Sequence, residues 1–266
     1  MLSNERRGHG ILARSLAVGC LTLMTTAGAA RAQMPDKFTN LKVLPKDITK
    51  PELIDAMRGY SGALGVRCEY CHVEKAPPAH GEDFAADGKP EKESARLMMK
   101  MVADINGKDL AALKTGRPAR VQVRCATCHH GLAVPQTLGD ALGASLAEKG
   151  LEASIQRYHE LRDTYYGSDS YNFSDRALVD FARSLGASGK TAEALAFLKL
   201  NGELYPKSAL TPFGLGELYT QTGDRDKAIA SFRAALEIDP KFMPAQRRLD
   251  ELTKEKDVPQ GGGKHD

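Results

Sequence analysis

The chain of 266 residues carries 37 Lys and Arg against 34 Asp and Glu, a formal net charge of +3, with 27% charged and 42% hydrophobic residues. This is the composition of a soluble globular protein, without the basic excess that grips nucleic acid, so no nucleic-acid partner is expected and charge names no other. Trp is absent and aromatic residues make up only 6% of the chain, which leaves little large apolar surface for a core.

The amino terminus shows Arg6, Arg7 and Arg14, an apolar run from Leu16 to Leu23, and a small-residue exit Ala30-Arg31-Ala32 before Gln33. This is the layout of a secretory signal peptide, so residues 1–32 are predicted to be a leader cleaved after Ala32. The apolar run is diluted by Thr and Gly and falls below the ~20 residues that span a bilayer. A lipidated Cys20 is the alternative, but Ala17 stands where such sites carry Leu. The mature protein is therefore expected in the periplasm, soluble or peripheral to the membrane.

Residues 33–136 form the first predicted domain. Thr49-Lys50-Pro51-Glu52 reads as a capping box, followed at helical spacing by Leu53, Ile54, Met57, Tyr60 and Leu64, with Gly65 as the stop. Directly after it comes Cys68-Glu69-Tyr70-Cys71-His72, and the same pattern returns as Cys125-Ala126-Thr127-Cys128-His129. Cys-x-x-Cys-His is the attachment signature of c-type haem: two thiols add across the vinyl groups of one porphyrin, and the adjacent imidazole sits beneath the iron. Two covalently attached haem c groups are expected, on Cys68 and Cys71 and on Cys125 and Cys128, with His72 and His129 as proximal iron ligands. Of five cysteines these four are used and Cys20 leaves with the leader, so no disulfide is expected. Residues 76–89 read as a surface loop. A second helix starts near Pro90, carries Leu97, Met98, Met101, Val102 and Ile105 on one face, and is expected to stop at Asn106-Gly107. With so few aromatics, the porphyrins are expected to supply much of this domain's apolar core.

Residues 137–150 read as a linker, 151–256 as amphipathic helical repeats and 257–266 as a disordered tail. Within the repeats Leu185 matches Tyr219, Gly189 matches Gly223, Ala194 matches Ala228, Leu198 matches Phe232, Leu204 matches Ile238 and Pro206 matches Pro240, a period of 34 residues. That period belongs to tetratricopeptide repeats, paired antiparallel helices that present an extended docking surface. Two units are too few for a stable array, so the helices near Leu151–Tyr165 and Met243–Leu252 are expected to act as caps. The fold class is thus mainly α, an N-terminal dihaem c-type cytochrome domain followed by a C-terminal tetratricopeptide-like domain.

The distal iron positions decide between electron transfer and small-molecule chemistry. Met57, on the helix before the first motif, and Met98 or Met101, on the helix before the second, are thioether candidates, with gap-filling in the core as the competing role. His80 and His130 are bis-His alternatives. Arg67 and Arg124 each precede a motif, with Arg117 and Arg120 just upstream of the second, and guanidinium groups there suit haem propionates.

The stretches Leu41–Pro45, Met57–Cys68, Ala95–Met101 and Cys125-Ala126-Thr127-Cys128-His129-His130-Gly131 resemble the cytochrome c subunit of photosynthetic reaction centres. The resemblance implies segments built as a helix bearing an axial Met, a turn and a Cys-x-x-Cys-His. It implies Met57 and Met98 as distal ligands, with Met101 the alternative to Met98.

The function expected from these readings is that of an exported dihaem c-type cytochrome carrying electrons between redox partners, a carrier rather than an enzyme. Its repeats would dock a redox protein or an assembly subunit, compatible with a peripheral membrane complex, a homo-oligomer or a chain of haems. The alternative is a haem enzyme, a peroxidase or small-molecule reductase, or a haem-bearing scaffold or sensor.

Overall fold

Thr49 opens the first helix, α1 (Lys50–Leu64), as the capping box requires: its backbone N–H donates to the Glu52 carboxylate at 2.9 Å and its hydroxyl does so at 2.7 Å. The computed structural model from which this is read describes residues 37–114 and 122–254; the expected leader with Cys20, Arg117, Arg120 and the expected tail lie outside the described residues. Gly65 ends α1 in the left-handed region at φ 65°, ψ 30°. A Cβ there would stand 2.1 Å from the Gly131 carbonyl oxygen, so both the backbone conformation and the close approach exclude any other residue.

The chain then makes a 3₁₀ turn at Cys68–Tyr70 and a two-stranded antiparallel ribbon, β1 (Val73–Glu74) with β2 (Glu82–Asp83), in which Val73 faces Asp83. The loop expected over 76–89 therefore contains one short strand, held in register by the Lys75 N–H donating to the Gly81 carbonyl at 2.8 Å. Helix α2 (Pro90–Asp104) does not stop at Asn106-Gly107 as the sequence suggests. It continues through a π turn at Ile105–Asp109 into the short α3 (Leu110–Ala112). Instead of ending the helix, the Asn106 side chain bonds to a distant strand of backbone. Its amide nitrogen donates to the Val123 carbonyl and its oxygen accepts the Val123 N–H, each at 2.8 Å. That pair ties the end of α2 to the approach to the second motif, which forms α4 (Cys125–His129).

Residues 137–150, read as a linker, are instead structural. Thr137 caps α5 (Leu138–Tyr165), its hydroxyl accepting the Asp140 N–H at 3.1 Å, and Leu138, Ala141, Leu142 and Leu146 are buried. The break comes at Gly150, with φ 83° and ψ −177°, a region open almost only to glycine. Ser154 Oγ donates to the Leu142 carbonyl at 2.8 Å, although twelve residues of straight helix would separate them by about 18 Å. The two arms of α5 therefore fold back as a hairpin. The glycines at 139, 143 and 150 punctuate this segment and make an amphipathic arm look like a connector.

Two further hairpins follow, α6 (Asp175–Ala187) with α7 (Thr191–Leu204) and α8 (Leu210–Gln221) with α9 (Arg225–Ile238), and α10 (Met243–Lys254) packs on α9. The repeat read at 34 residues is thus a pair of helix pairs, flanked by α5 and α10. One core runs from Leu132 and α5 through α7 to Leu218 of α8, with Phe181 edge-on to Phe197 at 4.9 Å. A second gathers Phe213, Ala228, Phe232, Ala235 and Ala245, with Phe213 and Phe232 at 5.7 Å. Each buried Phe or Leu contributes about 1.5–3 kcal/mol. Among the described residues no helix is long and apolar enough to cross a membrane.

Candidate functional site

Each motif folds into one tight turn. In the first, the Cys71 and His72 N–H groups both donate to the Cys68 carbonyl, at 3.2 and 3.0 Å. In the second, the Arg124 N–H donates to Thr127 Oγ1 at 3.0 Å and the His130 N–H to the Ala126 carbonyl at 3.3 Å. A single turn brings residues i and i+3 to one side, so both thiols of each motif share a face and the histidine follows directly. Cys68 and Cys128 are exposed, and Cys71 and Cys125 are half-buried.

The second motif packs on the helix that leads into the first. Helix α1 packs on α4, α2 also touches α4, and the Gly131 N–H donates to the Ala63 carbonyl at 2.9 Å. Tyr60 of α1 lies within electrostatic reach of Cys125, and burial pushes its hydroxyl pKa up.

The histidines differ. His129 Nδ1 meets the Leu132 carbonyl oxygen at 2.8 Å, which requires the proton on Nδ1 and leaves the Nε2 lone pair for a metal. His72 Nδ1 is buried with no hydrogen-bond partner, and its ring stands edge-on to Phe84 at 5.1 Å. Burial first, then the nearby Lys92, holds His72 below the usual imidazole range and so in its neutral, ligating form. Burial likewise pushes the Cys71 thiol up.

Around Phe84 a polar cluster fixes the loop. Asp87 receives Lys42 at 2.7 Å, Asn40 at 2.8 Å, Arg96 at 2.9 Å and Lys92 at 3.2 Å, while Lys92 also donates to the carbonyls of Phe84, Ala85 and Ala86. Arg96 additionally pairs with Glu93. The bond from Lys42, then that from Asn40, holds the Asp87 carboxyl well below the usual carboxylate range.

Helix α2 is therefore turned with its charged face inward: Lys92 and Arg96 are 9% and 8% exposed, while Leu97, Met98 and Met101 are 63%, 39% and 45% exposed. Of the face read from the sequence, Leu97, Met98 and Met101 point outward, while Val102 and Ile105 are half-buried. Met57 is half-buried on α1. His80 and His130 are exposed, Arg124 is exposed, and exposed Arg67 pairs with Glu69 at 3.2 Å. An open cleft of about 630 Å³ lies beside the first motif, lined by Gly65, Val66, Arg67, Glu69, Tyr70, Lys89 and Glu91; its walls hold no candidate iron ligand.

Paired thiols on one face of a turn, a neutral imidazole beside them, an Nδ1 occupied so that Nε2 is free, and a thioether-bearing apolar face nearby form the donor set of covalent haem. Sequence reasoning missed three contributors: Leu132, Phe84 and Lys92. Phe84 acts through a ring edge, Lys92 through its ammonium group and Leu132 through a backbone carbonyl three residues past His129, and none of these roles has a signature in residue type.

The family model of the photosynthetic reaction centre cytochrome C subunit matches residues 19–168, and a tetratricopeptide repeat model matches residues 213–242. Cytochrome c-554 of Chloroflexus aurantiacus is 36% identical over 105 residues, covering 39% of this chain and 23% of that one. The photosynthetic reaction center cytochrome c subunit of Rubrivivax gelatinosus is 28% identical over 116 residues, covering 36% and 30% of the two chains. The chain spans less than a third of the length of either relative.

Proposed function

Because this chain belongs to the photosynthetic reaction centre cytochrome c subunit family, we propose that it is an exported electron carrier with two haem c groups. The observation that carries the reading is the pair of Cys-x-x-Cys-His turns, the second packed on the helix that leads into the first and touched by α2, which bears the outward Met98 and Met101. Cys68 and Cys71 hold one porphyrin and Cys125 and Cys128 the other. His72 and His129 are the proximal ligands, Met57 and Met98 the distal ones, with Met101 the alternative to Met98. Covalent haem supplies a one-electron change between ferrous and ferric iron, with no substrate bond made or broken.

The chain's own residues then have defined roles. The Leu132 carbonyl holds the His129 proton on Nδ1, Phe84 stands edge-on to His72, and Leu97 and Met101, beside Met98, would cover the bound porphyrin against water. Arg124, and Arg67 on leaving Glu69, would pair with haem propionates. The helical repeats, whose family-wide role is protein interaction, dock a redox partner in the periplasm.

The test is an optical spectrum of the matured protein, oxidised, reduced and reduced under carbon monoxide, together with the haem-to-protein ratio. Two low-spin haems per chain, the long-wavelength Met-to-iron band and no change with carbon monoxide are the expected result. A carbon monoxide-binding high-spin haem would replace this reading by that of a haem enzyme or gas sensor.

A further inference from the structure

The second motif is built into the repeat domain, and the first is not. His129 Nδ1 donates to the Leu132 carbonyl at 2.8 Å, and the Leu132 side chain, 7% exposed, belongs to the same core as Leu142, Tyr158, Phe181 and Phe197. One residue before Gly131, the His130 carbonyl accepts Ser170 Oγ at 2.7 Å, from the connection between α5 and α6. One residue after His130, the Gly131 N–H is held by Ala63 of α1 at 2.9 Å. Residues 130–132 are thus gripped from the haem-domain side by α1 and from the other side by the repeats. Among the described residues no hydrogen bond reaches His72 Nδ1, which is buried, and the ring stands edge-on to Phe84.

We infer that the repeat domain is the anchor of the second haem's proximal ligand alone: Leu132 and Ser170 are positioning residues that fix the carbonyl to which His129 donates. This rests on the dihaem reading above. A hydrogen bond from Nδ1 makes the imidazole a stronger donor through Nε2 and so favours ferric iron. A firmly held carbonyl therefore lowers the midpoint potential of the haem on His129, and loosening it raises that potential. The docking array and the redox centre nearest to it are in this way one mechanical unit, while the haem on His72 is insulated from it.

The experiment is a redox titration of the full matured chain followed by paramagnetic NMR, which reads the two haems separately, on the unsubstituted protein and on Leu132→Ala, Leu132→Met and Ser170→Ala. Leu132→Ala is expected to raise the potential of the second haem and leave the first in place. Leu132→Met, which restores the buried volume, returns the second haem close to its original value. Ser170→Ala shifts it upward by a smaller step. Retention of both potentials in a folded Leu132→Ala protein overturns the inference, as does an equal shift of both haems. Should Leu132→Ala fail to fold, Ser170→Ala decides, since it removes one partly exposed hydroxyl, and an unmoved second haem overturns the inference. If the unsubstituted protein carries other than two haems, the dihaem reading itself falls and this inference with it, a result visible before any variant is made.

Discussion

Tyr158 is 1% exposed, and its hydroxyl accepts Arg162 Nη1 at 3.1 Å; the same nitrogen donates to the Tyr205 hydroxyl at 2.8 Å. Burial, which outweighs the opposing pull of Arg162, pushes the Tyr158 pKa from 10.0 up to about 12. The folded chain thus keeps this proton longer than the unfolded chain does. The associated stability is complete below pH 10.0 and drains away between pH 10.0 and about 12. Urea midpoints measured across that window are expected to fall with pH in the natural protein and to fall less in Tyr158→Phe. At the iron, Met98→Ala is expected to abolish the long-wavelength Met-to-iron band of one haem and Met101→Ala to preserve it. The reverse result would move the ligand by one helical turn. The motif residues are legible in sequence because their chemistry is local: two thiols and an imidazole within five positions. The Leu132 carbonyl is illegible there because its role depends on where the turn after α4 is held.

At the scale of elements, α2 and α5 carry the lessons. Periodicity told which residues of α2 share a face, and they do share it, but it did not tell which face is inward. That was decided by Asp87 and three loop carbonyls, which together give Lys92 and Arg96 enough partners to be buried. Because the Asp87 carboxyl is held low, its contribution is present above the ordinary carboxylate range and lost as pH falls through the lowered value. Asp87→Asn is therefore expected to be less stable at neutral pH and to lose part of the acid-induced decline, as followed by helical signal against pH. In α5 the glycines suggest a linker in the sequence. The structure uses Gly150 as the bend of a hairpin at φ 83°, so Gly150→Ala is expected to cost about 1–3 kcal/mol in a denaturant titration. The capping box at Thr49, the stop at Gly65 and the helix pairs of the repeats were all readable, since each depends on residues within a few turns of one another.

For the whole molecule, the cut between haem-bearing and repeat regions does not fall where composition changes. Leu132 and the arm 138–149 belong to the repeat core, and the family match itself runs on to residue 168. Thermal unfolding followed by helical signal and by absorbance at the second haem is expected to give coincident midpoints, the mark of one cooperative unit. Separate transitions would show that the junction at Leu132 transmits nothing.

The backbone bond from Gly131 to Ala63 has a consequence for how the molecule comes into being. It closes a loop that contains the whole of the first motif and ends just past the second, and chains are made from the amino terminus onward. This clasp on α1 therefore cannot close until residue 131 has emerged. The first motif lies on the open side of the clasp over that entire interval, whereas the second emerges only just before the clasp shuts.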